Sequence, residues 1–366
     1  MAFRLDPRCR FSGSIIHASQ GLTSFERDPQ ETRLSKTAFV TGATGCVGLN
    51  LIEELLAQGW EVTAMHRTGS NTSLLSRLPV TKVLGDVTDP DSLTTLVPRD
   101  VDCVFHVAGN TSMWSRIHAE QLQVNVDGTR NVVRAAMAAN AKRFVLTSSI
   151  VAYGLHGGTI SEETPTRGTA ARINYIRSKA LAEREVRQAV AGGLKAVIIN
   201  PSNILGAYDT KNWARMFKLV QRGRLPVVPA GGGSFCHVRE VARAHIAAAE
   251  KGRVGANYLL GGAEASYLGL VQEMSRMLGL KRNPRALPQG VLRGYAFLEE
   301  MLAPVFGREP DVTRDAVELL SQNIYCDTRR AVRELDYKPQ PMEVMLNDCM
   351  SWMLEQGLLQ PRKFAA

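Results

Sequence analysis

The sequence predicts an α/β fold: a doubly wound parallel sheet with a smaller, mostly helical C-terminal lobe for substrate. Three observations carry this. Strand-like and helix-like segments alternate from Thr37 to Pro201, the strand-like ones are apolar nearly throughout, and a glycine-rich turn joins the first strand to the first helix. Strands separated by helices pair in parallel, and strands without a polar face are covered on both sides. Such sheets bind ligands beyond the carboxyl ends of their strands, where the strand order reverses.

Taken in order, "TAFVTG" is a β-branched and aromatic run ending at Gly42, and "VGLNLIEELLAQG" is an amphipathic helix stopped by Gly59. "WEVTAMHR", "TKVLGD" and "DVDCVFHVAG" supply three more strands. One continuous helix is expected over residues 117–140, then the strand "RFVLTSS", a helix around Tyr175 and the strand "KAVIINP". After Pro201 the alternation loosens. "LGAYDTKN" and "VVPAGGGSF" read as turn clusters, and helices follow in "VREVARAHIAAAEK", "YLGLVQEMSRMLG", "LRGYAFLEEML" and "MEVMLNDCMSWMLEQG". "GANYLLGG" is open to reading as a further strand. The expected domains are a nucleotide-binding unit over residues 37–200 and a substrate lobe over 201–366, partly interleaved with the sheet. Residues 1–36 lack periodicity and a secretion-type apolar core, and read as a disordered extension.

Composition narrows the function classes. No run approaches the roughly 20 apolar residues of a membrane span, so no membrane partner is expected. The formal charge of +9 is spread thinly, with six Lys/Arg against four Asp/Glu in residues 1–36 and no basic block, so no nucleic-acid partner is expected either. Cys9, Cys46, Cys103, Cys236, Cys326 and Cys349 are far apart, with no metal-ligand spacing. No metal is expected. Reduced thiols suit a cytoplasmic setting.

Gly42, Gly45 and Gly48 stand in a G-x-x-G-x-x-G turn, completed by Thr44, Cys46 and Val47. Glycine there permits a tight turn, backbone approach to a pyrophosphate and close helix–sheet packing. The turn predicts a Rossmann-type dinucleotide site. The second strand ends in His66 and Arg67 without a carboxylate, while Glu61 sits at its start. Arg67 can face a 2′-phosphate, so NADP(H) is the preferred cofactor and NAD(H) the alternative. Asp86, followed by Val87, is placed to accept from the adenine amino group. Ala108 and Gly109 are small where a cofactor must pass close to the chain.

Ser148 and Ser149 end the fifth strand, and Tyr175 and Lys179 lie one turn apart on the next helix. Each has an ordinary alternative: a capping serine, a packed tyrosine, a solvated lysine. Their order behind a dinucleotide turn makes them candidates for proton transfer.

With "TGATGCVG", "GDVTD", "HVAGNTS", "NVDGTRNVV", "TSS…AYG", "YIRSK" and "NPSNILG", the chain resembles the extended short-chain dehydrogenase/reductases over about residues 37–350. That superfamily includes NAD(P)-dependent sugar epimerases and dihydroflavonol reductases. The resemblance implies that Tyr175 is the general acid/base and that Lys179 favours tyrosinate and binds the nicotinamide ribose. It implies that Ser149, with Ser148 as alternate, binds the reacting oxygen. Asn125 matches the asparagine that props the lysine through water, or serves as a helix-bend stabiliser. Pro201 and Ser202 match the segment lining the nicotinamide.

Two reactions share this site. A reductase or dehydrogenase interconverts a small carbonyl and alcohol with net cofactor turnover, whereas a nucleotide-sugar epimerase or dehydratase returns the hydride to its substrate. The sugar enzymes' "R-x-x-N-V-Y-G-P" is replaced by "IINPSNILGAYD", which favours the carbonyl enzyme, dihydroflavonol-reductase-like or hydroxysteroid-dehydrogenase-like. A non-catalytic NADP(H) sensor is the third reading, disfavoured by the intact Ser–Tyr–Lys set. In "SFCHVREVARAH", His237 either faces substrate or is structural. Helices at 117–139 and 170–191 either pair in a homodimer or cover the sheet.

Overall fold

The structure, a computed structural model, describes residues 35–281, 284–303 and 308–360. The extension expected over residues 1–36 lies outside them apart from Ser35 and Lys36, as does Cys9.

The first half contains β1 (Thr37–Thr41), α1 (Cys46–Ala57), β2 (Glu61–His66), β3 (Thr81–Leu84), α2 (Pro90–Leu96) and β4 (Cys103–His106). There follow α3 (His118–Leu122), a π-type turn over Gln123–Asp127, α4 (Gly128–Ala138), β5 (Phe144–Thr147), β6 (Gly158–Ile160), α5 (Asn174–Ala191) and β7 (Ala196–Pro201). The second half contains β8 (Asn203–Leu205), α6 (Arg215–Gln221), β9 (Val227–Pro229), β10 (Gly232–His237), α7 (Val238–Lys251), β11 (Asn257–Leu260) and β12 (Glu264–Ser266). It closes with α8 (Tyr267–Met277), β13 (Arg285–Leu287), α9 (Gln289–Leu302), α10 (Arg314–Leu320), β14 (Asn323–Cys326), α11 (Arg329–Leu335) and α12 (Met342–Glu355).

Seven strands form the central sheet in the order β3-β2-β1-β4-β5-β7-β11, every neighbouring pair parallel. The order reverses between β1 and β4, which opens a crevice at their carboxyl ends. Alternation along β1 divides the core. Ala38 and Val40 pack in the cluster that includes Leu51 and Ile52 of α1 and Val241 of α7, while Phe39 packs on the other face with Val132 and Val133 of α4. Phe39, Val40, Leu51 and Ile52 are wholly buried, each contributing about 1.5–3 kcal/mol. "GANYLLGG" supplies β11, which extends the sheet beside β7.

Two expectations change. The helix expected to run unbroken over residues 117–140 is interrupted at Gln123–Asp127, where the Thr129 hydroxyl donates to the Asn125 carbonyl at 2.6 Å and the Asn125 side chain is engaged elsewhere. "VVPAGGGSF", read as a turn cluster, holds strands β9 and β10. A Cβ on Gly231 would stand 2.3 Å from the Leu320 carbonyl oxygen and one on Gly232 2.7 Å from that of Ala265. Glycine is needed there for close backbone approach. The second half thus adds to its helices a second sheet, β12-β10-β14-β6 with β8 beside β10, which takes β6 from the first half, and the pair β13-β9.

Candidate active site

The glycine turn brings the ends of β1 and β4 and the start of α1 together. Gly42 has φ +70°, and a Cβ on it would lie 2.6 Å from the Ala108 nitrogen. The Gly45 N–H donates to the Gly42 carbonyl at 3.0 Å. A Cβ on Gly48 would fall 2.2 Å from that same oxygen. Beyond the turn α1 begins with no side-chain cap and no acid in its first turn. Its unpaired N–H groups and dipole can therefore receive an anion. Thr44, Cys46 and Val47 form the rim. Burial pushes the Cys46 thiol well up, with Asp209 adding to the shift, so it places no thiolate near that positive end.

Arg67, just past β2, is exposed and makes no ion pair among the described residues. Glu61, at the other end of β2, accepts from the Ser35 hydroxyl. Asp86 accepts from the Thr88 N–H at 2.9 Å and hydroxyl at 2.8 Å, both on Oδ1, which leaves Oδ2 to a ligand. Val87 is buried behind it, its carbonyl held by Asn131 at 3.0 Å. The turn, the open helix end, the cation and the acceptor fit an adenine dinucleotide.

At the ends of β5 and β7 the candidate proton-transfer groups meet. Tyr175 is half-buried against an apolar cluster containing Ile150, Ile173, Ile176 and Met113. Burial pushes its phenol up to about 12, opposed by a side-chain hydrogen bond with Ser149. Ser149 caps a 3-10 turn over Ile150–Tyr153, and its hydroxyl donates to the Pro201 carbonyl at 3.4 Å. Ser148 faces elsewhere and donates to Glu183 at 2.6 Å. Lys179 is 7% exposed and donates to the Thr147 carbonyl at 3.0 Å. Burial lowers its ammonium to about 8, with the Glu183 charge opposing. Gly109 lies against it: a Cβ there would meet the Lys179 Nζ at 3.2 Å. Ser202 follows Pro201, its N–H donating to the Leu260 carbonyl at 2.8 Å.

Asn125 is bonded to main chain and to Ser178. Its Oδ1 accepts from the Asn110 N–H at 2.7 Å, and its Nδ2 donates to the Asn110 carbonyl and to the Ser178 hydroxyl, both at 2.9 Å. It therefore clamps the loop after β4 onto α5. A second chain runs behind it. The Thr129 proton is committed to Asn125, so His106 donates from Nε2 to Thr129 at 3.0 Å and accepts on Nδ1 from Thr41 at 2.8 Å. Thr41 in turn accepts from the Ala108 N–H at 3.2 Å. Burial lowers His106 to about 3, so the chain is neutral and ties the glycine turn to the π-type turn.

His237, left open by the sequence, caps α7: its Nδ1 accepts from the Arg239 N–H at 3.2 Å, and its Nε2 faces Asp348 at 3.4 Å. Sequence reasoning passed over Glu183, Asn200 and Asn257, which form one buried network behind Ser148. Glu183 stands four residues after Lys179, a spacing that marks the same helix face. Among the described residues, no group of three or more His, Cys, Asp or Glu could hold a metal ion, and no helix is long and apolar enough to cross a membrane.

Comparison with known proteins shows the family and the fold. The sequence model described as "NAD dependent epimerase/dehydratase family" matches residues 38–261. A Synechocystis sp. protein assigned as a dihydroflavonol 4-reductase is 32% identical over 330 residues, covering 88% of this chain and 96% of that protein. The 3-beta-hydroxysteroid dehydrogenase of Mycolicibacterium neoaurum is 29% identical, covering 89% of this chain and 95% of that protein. The crystal structure of gox2253 superposes with a TM-score of 0.77 at 31% identity, covering 89% of this chain and 100% of that one.

Proposed function

Since the chain belongs to the NAD dependent epimerase/dehydratase family and is an NAD(P)-dependent oxidoreductase of the extended short-chain type, we propose that it interconverts a lipophilic ketone and its secondary alcohol with NADP(H). One observation carries the reading: a phenol held protonated by burial, hydrogen-bonded to a strand-end serine and one helical turn before a buried lysine. The nicotinamide, when bound, supplies or accepts the hydride. Tyr175, at about 12, keeps its proton at neutral pH and gives it to the carbonyl oxygen during reduction. The Ser149 hydroxyl, only weakly engaged at 3.4 Å, turns to hydrogen-bond that oxygen. Lys179 holds the nicotinamide ribose and stabilises the tyrosinate left behind. Arg67 would hold the 2′-phosphate, and Asn125 holds the loop after β4 onto α5. The apolar cluster around Tyr175 and the hydroxysteroid dehydrogenase among the relatives support a lipophilic substrate.

The test is a panel of ketones and secondary alcohols, including steroids and dihydroflavonols, assayed with NADPH and NADH for net change in cofactor oxidation state. NADPH-dependent reduction is expected. Epimerisation of a nucleotide sugar without net turnover would overturn the reading.

A further inference from the structure

Glu183 is an acid 6% exposed, inside the sheet–helix interface, and the proton-transfer scheme above does not use it. Its surroundings are closed. Oε1 accepts from Ser148 on the end of β5 at 2.6 Å and from Asn200 in β7 at 2.6 Å. Oε2 accepts from Asn257 in β11 at 3.1 Å and from Arg187, one turn further along α5, at 3.3 Å. The donors are locked to one another: Asn257 donates to Asn200 at 2.8 Å, and Arg187 to Asn257 at 2.7 Å. Asn200 also donates to the Ser149 carbonyl at 2.9 Å, so the network that holds the carboxylate fixes the backbone of the serine beside Tyr175.

A buried carboxylate is costly, and three strands and a helix here supply donors for it. Hydrophobic residues of like volume fill such space without that cost. The position of the charge suggests its use. Glu183 lies one turn from Lys179 on the same face of α5, and burial of Lys179 alone would drive it toward the neutral amine.

We propose that Glu183 is a positioning residue for the proton-transfer pair, a clamped negative charge that keeps Lys179 an ammonium at neutral pH while its network holds Ser149 in register. The charged and titratable groups that face the pair are few. On α5 they are Glu183, Tyr175 and Arg187. His106 faces Lys179 from β4 and is neutral, and Tyr153 faces Glu183 from the turn after β5. Among the described residues that face the pair, Glu183 is the one whose charge favours the ammonium. The purpose assigned to that ammonium rests on the proposed function; its charge state does not.

Competitive acetylation with acetic anhydride, read at Lys179 by peptide mass spectrometry across pH, measures the amine's titration in the intact protein without substrate or cofactor. Glu183→Gln should lower the Lys179 midpoint by about one pH unit, so that reactivity at pH 7 rises several-fold. Arg187→Met, at a half-exposed side chain, removes the cation competing for Glu183 and should raise the midpoint. Ser148→Ala deletes one bond but no charge and should leave it unmoved. If Glu183→Gln does not fold, Arg187→Met decides. The proposal is overturned if neither charge variant moves the midpoint, or if Ser148→Ala moves it as far as Glu183→Gln. A shifted midpoint with no activity on any carbonyl would sink the proposed function and leave this role standing.

Discussion

Lys179 and Thr147 are joined by a hydrogen bond of 3.0 Å from ammonium to main-chain carbonyl, at a site where the lysine is 7% exposed. Burial lowers the folded-state pKa to about 8 from the ordinary 10.5. Between those values the unfolded chain binds the proton and the folded chain does not, so stability rises with pH through that window. Below about pH 8 the cost of the buried charge is fully present. In urea unfolding of wild type against Lys179→Met, the variant should gain relative to wild type at pH 7, and the difference should shrink from pH 8 to 10.5. A pH-independent difference would contradict the buried ammonium.

Tyr175→Phe removes the proton donor and leaves the ring in its apolar cluster. Reduction should slow by about 10²–10⁴-fold, a typical general-acid contribution, while the NADPH dissociation constant changes less than about twofold. Steady-state rates and nucleotide fluorescence titration measure the two. Undiminished turnover would remove Tyr175 from the mechanism.

Gly48→Ala places a methyl 2.2 Å from the Gly42 carbonyl oxygen, a backbone atom that cannot swing aside. The turn must open, and α1 must move from the sheet. Nucleotide binding should weaken by at least tenfold with a lowered melting temperature, whereas Gly59→Ala, strained at φ +77° but with open space around it, should lower stability and spare binding. Calorimetric titration with NADPH separates the two variants.

Arg67→Ala should raise the KM for NADPH by roughly tenfold and leave that for NADH nearly unchanged, the loss of one charge-assisted contact to a phosphate. Equal effects on both nucleotides would place Arg67 outside the 2′-phosphate site.

The order of the central sheet's strands through Pro201 was legible because each strand's apolar run is local, whereas the short α2 and β6 were not read. The glycine turn was legible for the same reason: its three positions answer to neighbours within a few residues, apart from Gly42, which also meets Ala108. β10 was not legible. Its glycines and Gly231 just before them look like a turn until Leu320, Ala265 and Ile324 are known to press against them from distant segments. A bend at Asn125 was one reading the sequence offered, but the partners of its side chain, Asn110 and Ser178, come from segments distant in the chain.

What the sequence by itself determined is the sheet's architecture and the residue types at its carboxyl edge, because periodicity and glycine spacing act over one or two turns of chain. What only the tertiary structure decided is that Ser148, the alternate to Ser149, serves Glu183 instead. It also decided that burial governs both the tyrosine and the lysine. Desolvation depends on everything packed around a group, and for Lys179 that means β4, β5 and the loop at Gly109, segments that no spacing within α5 reveals.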